Sequence, residues 1–450
     1  MSATVKNNLY QILFFTRRLY FALGANILLF ICAYFFPALY NVALIAIGVL
    51  LLLLLLDMAL LLLRPRDIIS VERRMSPRFS NGDENEVLVV LQNHYPFPLE
   101  VSMIDEVPFQ FQLRDFLMEG RVDAGAEHIF RYVLRPVERG TYDFGYTNIF
   151  VKSALGLISR RFVFDNEKTV SVYPSFLQLR HYTLYSFMNR LNELGVHKRR
   201  VIGHSMEFDH IKPYTKGDDV RMLNWKATAR TGNLMVNNYV EEKSQQVYCV
   251  IDKGRTMKMP FNGMTLLDYA VNASLVFSNV ALNKGDKAGL ITFTEKQVEM
   301  LAANSKKVQL NNILESLYSQ QTQWQESDYE TLSVQLRSRL SQRSLLILFT
   351  NFESMSGLQR QLPFLRRLAR YHLLLVVFFE NTELKKVTET TARDVEGIYK
   401  QTIAQKFAYD KKLIVKELAK YGIMSLLTPP ENLTLNVVNK YLELKARMLI

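Results

Sequence analysis

Residues 207–234, EFDHIKPYTKGDDVRMLNWKATARTGNL, place the adjacent carboxylates Asp218 and Asp219 among Glu207, Tyr214, Gly217, Arg221, Trp225, Lys226 and Arg230. Paired carboxylates serve as acid and base when a nucleophile, a histidine or a metal converges on them. The nearby histidines, His204 and His210, have no cysteine or further histidine beside them to complete a ligand set. A second place for chemistry is Asp252-Lys253-Gly254-Arg255-Thr256, with Asn351 further along the chain. Hard divalent cations ask for several oxygens and preferably more than one carboxylate, whereas Lys253 and Arg255 oppose an ion. Either these cations stand in for the ion and pair with Asp252, or Asp252 caps the segment that follows. GxxxxGK[ST], HExxH and GxSxG do not occur. Gly203-His204-Ser205-Met206-Glu207 begins like the last of these but lacks its final glycine.

The element expected to position the first set is a helix from Val220 to Arg230, with Asp219 as its N-cap and Thr231-Gly232 as its stop. On such a helix Arg221 and Trp225 share a face, as do Lys226 and Arg230. Arg221 is expected over the Trp225 indole, with Asp218 or Glu207 as its carboxylate partner. The expected role is a polar staple with a buried indole that fixes domain orientation. A docking surface for a partner protein is the alternative, and a catalytic centre the third reading.

Around this stretch the texture changes twice. Residues 70–175 alternate with period two and carry aromatic residues and turn punctuation, as in EVLVVLQN (86–93), EHIFRYVLRP (127–136), TYDFGYTNIFV (141–151), RRFVFD (160–165) and TVSVYP (169–174). They predict a small β-sandwich without visible chemistry. Residues 176–245 form a connector that carries the charged stretch. From 246 to 428, apolar strands such as QVYCVID and SLLILFTNF alternate with amphipathic helices, which predicts a mostly parallel, Rossmann-like α/β sheet covered on both faces. A C-terminal helix is expected over 431–450.

The N-terminus sets the location. Residues 1–66 contain two apolar runs, 19–36 and 42–63, each about the ~20 residues that a helix needs to cross a bilayer. Pro37 and Asn41 bracket a short connection, so the runs predict a transmembrane hairpin. Lys6, Arg17 and Arg18 precede it, and Arg64, Arg66, Arg73 and Arg74 follow. By the positive-inside rule the soluble parts face the cytoplasm of a bacterial inner membrane. Asp57, within the second run, is expected near the inner interface, facing the partner helix. The net charge of +12 suits anionic lipid or an acidic partner, and the basic run 197–200 lacks the recognition helix or aromatic set of a nucleic-acid binder. Two isolated cysteines exclude a disulfide framework.

Gly203, Glu207-Phe208, Tyr214, Gly217-Asp218-Asp219, Arg221, Trp225-Lys226 and Ala229-Arg230 resemble the signature of the family called domain of unknown function 58. The likeness extends to Arg139-Gly140, Leu155-Gly156-Leu157 and Arg343-Ser344-Leu345. It implies an anchored β-domain followed by a von Willebrand factor A-like domain, and a MoxR-type AAA+ ATPase as partner. It also implies a metal loop reading Asp-x-Ser-x-Ser, from which this chain departs. Asp252, Thr256 and Asn351 form a degenerate set with one hydroxyl missing and Asn in place of Asp, so magnesium is expected to bind weakly or not at all. The function expected is a non-enzymatic, membrane-anchored adaptor acting in protein assembly, maturation or envelope stress on an unnamed client. A membrane-bound hydrolase using Asp218, Asp219 and Asp252 is the alternative.

Overall fold

The computed structural model describes residues 12–63, 68–114, 116–176, 206–216, 218–241, 244–322, 324–389 and 394–447, with the backbone alone for 206–210, 238–241, 385, 386 and 389. The chain divides into two compact units, Met1–Tyr173 and Pro174–Ile450.

In the first unit, two apolar helices, Arg17–Phe35 and Tyr40–Leu62, flank a single 3-10 turn, Pro37–Leu39. Pro37 starts that turn because its missing N–H has no partner to lose there. Both helices are long and apolar enough to cross a membrane. The remainder is mainly strand, with a 3-10 turn at Phe109–Phe111. A five-stranded sheet runs in the order Leu13–Phe15, Ile158–Phe164, Thr147–Lys152, Leu99–Asp105, Leu117–Val122. Two three-stranded sheets, centred on Asn85–Asn93 and Lys168–Tyr173, close with it on one core that includes Val89, Met103, Phe130, Ile149, Phe162 and Val172. The expected single strand over 141–151 is two strands, Gly140–Phe144 and Thr147–Lys152, in different sheets. The chain changes sheet at Gly145, where a Cβ would come within 2.6 Å of Glu106 Oε2.

The apolar hairpin is built into this β-structure. Ahead of the first helix, Leu13–Phe15 adds an edge strand, antiparallel to Ile158–Phe164. Thr16 then gives its hydroxyl to Gly156 O at 2.6 Å and its N–H to Leu157 O at 3.1 Å. In the second helix Asp57 is fully buried. Its carboxylate accepts from Ser153 Oγ, from Leu157 N at 2.9 Å and from Ile158 N at 3.0 Å. One turn on, Leu61 O accepts from Tyr95 OH at 3.2 Å and from Arg160 Nη1. Asp57 therefore faces the β-structure rather than the other helix of the hairpin, and Ser153, Leu157 and Ile158 supply its donors.

Arg73 also departs from expectation. It is no flanking surface charge but a buried partner of Asp105: its Nε lies 3.0 Å from Oδ2 and its Nη2 on Oδ1, with further bonds to Asn166 O, Gly145 O and Thr147 Oγ1. Tyr132 donates to the same carboxylate, and burial, then Asp105, pushes its phenol far above the ordinary range. Arg64 and Arg66 lie outside the described residues.

The second unit contains a six-stranded sheet in the order Val298–Asn304, Lys287–Phe293, Gln246–Asp252, Leu345–Phe349, Leu373–Phe379, Met424–Thr428. Every pairing is parallel except that of the first strand. Alternate residues of Gln246–Asp252 feed two cores: Val247, Cys249 and Ile251 pack under helices Leu266–Asn283 and Leu433–Ala446, while Tyr248 and Val250 pack under Tyr329–Arg339 and Met355–Tyr371. Both faces are buried, which is why these strands read as continuous apolar runs.

Replacing Asp57 by Ala strands two backbone N–H groups and a hydroxyl. A loss of roughly 3 kcal/mol is expected, read as a lower melting temperature of the full chain in detergent and faster amide exchange at Leu157 and Ile158. Unchanged exchange at those two amides would show the carboxylate to be dispensable.

Candidate functional site

The charged stretch forms an arm on the second unit. Strands Met206–Pro213 and Met235–Glu241 pair antiparallel with a bulge between Phe208 and His210. Between them lie a 3-10 turn, Val220–Met222, and a short helix, Trp225–Thr231. The expected continuous helix from Val220 to Arg230 is thus broken. Asp219 caps the 3-10 turn by accepting from Arg221 N at 3.0 Å, and Asn224 restarts the chain as a second N-cap, accepting from Ala227 N at 2.9 Å. Gly232, at φ 74°, ends the helix as expected. Arg221 and Trp225 consequently sit on different elements and lose the shared face. Asn224 was the signal for this break, since asparagine ahead of a helical run competes with the backbone and favours a cap.

Asp218 pairs not with Arg221 but with Lys212, whose Nζ lies 2.7 Å from Oδ1. Oδ2 accepts from Thr215 N at 2.9 Å and Thr215 Oγ1 at 2.8 Å. The Lys212 ammonium, followed by the two Thr215 donors, holds this carboxyl down at about 2. Asp218 is therefore a permanent anion that folds its own loop. Tyr214 closes the ladder by donating its N–H to Leu234 O at 2.8 Å. Gly217 and the Glu207 side chain lie outside the described residues, as do His204 and the basic run 197–200.

The expected buried indole is not found. Trp225 is 70% exposed, and Val220, Leu234, Arg221, Lys226 and Arg230 are exposed around it. Asn224 and Thr228 tie the short helix back to the strand, Asn224 Nδ2 to Asn237 Oδ1 at 2.7 Å and Thr228 Oγ1 to Met235 N at 3.0 Å. The indole is therefore displayed from an anchored element.

Asp252, Thr256 and Asn351 do come together, lining one cleft of about 160 Å³ at the ends of adjacent parallel strands. The Asp252 and Asn351 oxygens are already engaged. Asp252 Oδ1 accepts from Ser327 Oγ and from Gly254 N at 2.8 Å; Oδ2 accepts from Tyr329 OH at 3.0 Å and from Thr350 Oγ1 at 2.7 Å. Burial, then the Asp252 charge, pushes the Tyr329 phenol far up, so it stays a donor. A Cβ on Gly254, where the metal loop would have serine, would meet Ser327 Oγ at 2.7 Å. Ser327 thus fills the space of the missing hydroxyl. Asn351 Oδ1 accepts from Lys411 Nζ. This donor set does not fit a divalent cation.

The expected ion substitution fails as well. Lys253 Nζ bonds Gln320 Oε1 at 2.9 Å, and Arg255 pairs with Glu326 at 3.2 Å. Asp252 instead holds its own turn through Gly254 N. Ser327, Tyr329 and Thr350 were invisible as partners because 75 to 98 residues separate them from Asp252 and only sheet topology joins them. A larger apolar cavity of about 390 Å³ adjoins the cleft, sharing Asn351 and Glu353 and lined by Phe261, Phe379 and Phe407. Lys411 reaches into it, and burial pushes that amine down to about 8.

Residues 210–406 match the family model described as Protein of unknown function DUF58. The chain is 27% identical over 212 residues to the uncharacterized protein YeaD of Bacillus subtilis strain 168, covering 43% of this chain. It spans about half (50%) of the length of that relative. Among solved structures, the PapD-like domain of human CEP192 is 13% identical, with a TM-score of 0.18, over 25% of this chain and 90% of that domain. A CARDB domain from Pyrococcus furiosus, solved with two metal ions, is 14% identical at a TM-score of 0.18 over 23% of this chain and 86% of that domain.

Because four donors already saturate Asp252, calorimetry of the full chain with magnesium at physiological concentration should show no heat beyond dilution. A stoichiometric isotherm that disappears in Asp252→Ala would prove the donors displaceable.

Proposed function

With a DUF58 segment running from the arm into the helix Val395–Lys420, we propose that the chain is a membrane-anchored adaptor whose arm docks a partner protein. The family resemblance makes the six-stranded sheet a von Willebrand A-like domain and the docked partner a MoxR-type AAA+ ATPase, with a client engaged during protein assembly, maturation or envelope stress. The observation that carries the docking role is Trp225, 70% exposed on a short helix whose two ends are capped and tied down. Tryptophan and arginine dominate interface energies when they anchor in a partner's pocket. A displayed indole beside exposed Arg221 and Arg230 has that composition. The carboxylates that a hydrolase would need are otherwise occupied, Asp218 by Lys212 and Thr215, Asp252 by four donors.

The anchor belongs to the same proposal. The start of the first apolar helix and the end of the second both bond to the 153–158 loop, so Pro37–Leu39 is the far end of the hairpin. Arg17 and Arg18 at the near end support a cytoplasmic orientation by the positive-inside rule, with the soluble parts on the cytoplasmic side of a bacterial inner membrane.

Two measurements follow. Trp225→Ala should leave the melting temperature within about 2 °C, since little apolar surface is uncovered, yet weaken binding to a purified MoxR-type ATPase by about 2 kcal/mol or more. A lowered melting temperature with unchanged binding would return the arm to a purely structural role. For topology, protease added outside intact cells should spare residues 68–447; digestion of the β-structure under those conditions would invert the orientation.

A further inference from the structure

At the opposite end of the six-stranded sheet from Asp252, where strands Leu345–Phe349, Leu373–Phe379 and Met424–Thr428 begin, lies a cleft of about 620 Å³. Arg337 comes to it from the helix Tyr329–Arg339, and Arg366, Arg367 and Arg370 from the helix Met355–Tyr371. All four are exposed, and among the described residues none lies within ion-pair distance of a carboxylate. Arg360 on the same helix, by contrast, reaches Glu326. No carboxylate lines the cleft.

The bland explanation is that these cations offset helix dipoles. The helices Tyr329–Arg339, Met355–Tyr371 and Val395–Lys420 all end near here, and each C-terminus carries about −0.5 charge. Three ends together supply about −1.5 against four guanidiniums, so more than half of the positive charge has no counterpart among the described residues. Two of the forks are also pre-set. The Arg337 guanidinium lies 5.3 Å from the Tyr371 ring centre and that of Arg366 lies 4.4 Å from the Tyr421 ring centre. Stacking holds the planar fork while leaving its edge donors free, which is the geometry that grips phosphate oxygens in pairs.

We propose that this cleft binds the phosphate headgroups of anionic phospholipid and so brings this face of the second unit to the bilayer surface. The inference rests on the reading of the apolar hairpin as a membrane anchor. The tether keeps a lipid surface at high effective concentration, and a cationic cluster gains affinity there with each guanidinium it adds. Tyr371 and Tyr421 flank the cluster, 42% and 41% exposed, in keeping with the preference of tyrosine for the headgroup layer. A single-stranded nucleic acid would need free aromatic faces for its bases, and here a guanidinium already takes one face of each ring.

The test places the full chain in nanodiscs of phosphatidylcholine alone or with phosphatidylglycerol and follows amide exchange over residues 363–372. Exchange should slow roughly tenfold or more in the anionic discs, given a gain on the order of fivefold per guanidinium, and the slowing should vanish at high salt. It should also vanish in the variant Arg337→Gln, Arg366→Gln, Arg367→Gln, Arg370→Gln, while exchange in Leu345–Phe349 reports that the variant is folded. Equal exchange in both discs overturns the proposal, as does protection that survives in the variant. Protection by an oligonucleotide or by free glycerol phosphate, without protection by the anionic bilayer, overturns it too. Incorporation into discs reads the anchor separately. If the chain stays outside them, the anchor fails, and phosphatidylglycerol against phosphatidylcholine vesicles still reads the cleft.

Discussion

A carboxylate in the final third of an apolar helix has to find donors, and Asp57 finds three in one loop, at Ser153, Leu157 and Ile158. Much of the first unit is arranged around that requirement. Gly156, at φ 63°, lets the loop turn beneath Arg18, whose Nη1 would lie 2.5 Å from a Cβ there. Arg18 in turn reaches Glu100 at 3.0 Å, and Arg160 and Tyr95 hold the carbonyl of Leu61 one turn beyond Asp57. The apolar hairpin enters the β-structure as an internal part.

Buried charge recurs as a device that fixes one arrangement. Arg73 and Asp105 form a forked pair inside the first unit, with Tyr132 and Thr147 completing the carboxylate. In the second unit Asp286 gathers Gln245 N, Tyr441 OH and Lys445 Nζ, which pins the helix Leu433–Ala446 to the sheet. Removing one member of such a group leaves the others buried without partners, so the cost of a break exceeds the worth of the pair itself.

Local patterns announced much of the fold. Thr265 and Asp268 form the reciprocal cap of the helix Leu266–Asn283, the strand Gln246–Asp252 begins and ends where its apolar run does, and Gly232 stops the arm helix in the left-handed region. The failures share a physical origin. Strand 141–151 divides at Gly145, where Glu106, just past the end of the strand Leu99–Asp105, occupies the space a side chain would need. Arg73 reads as a flanking cation because its counter-ion lies 32 residues away. At the candidate sites, a spacing of four between Arg221 and Trp225 predicts a shared face only if one helix carries both, and Asn224 prevents that. The cleft at Asp252 depends on donors from the start of the helix Tyr329–Arg339 and from the end of the strand Leu345–Phe349, which no local window contains.

The edge strand Leu13–Phe15 sets the order in which the first unit can be completed. It pairs Leu13 with Arg160 across 147 residues of chain, and it leaves the ribosome ahead of every strand it must join. Until the last of those strands is made, the edge of Ile158–Phe164 has no neighbour there and the Asp57 carboxylate has no loop. Closing so long a loop is slow compared with forming a hairpin of adjacent strands. The two apolar helices must therefore settle while their docking surface is still unwritten, and the β-structure assembles against helices already in position. Cutting the chain after residue 63 to obtain a soluble fragment would remove a strand together with the Asp57 and Thr16 partners of the 153–158 loop. The cut would pass through a folding unit instead of between two.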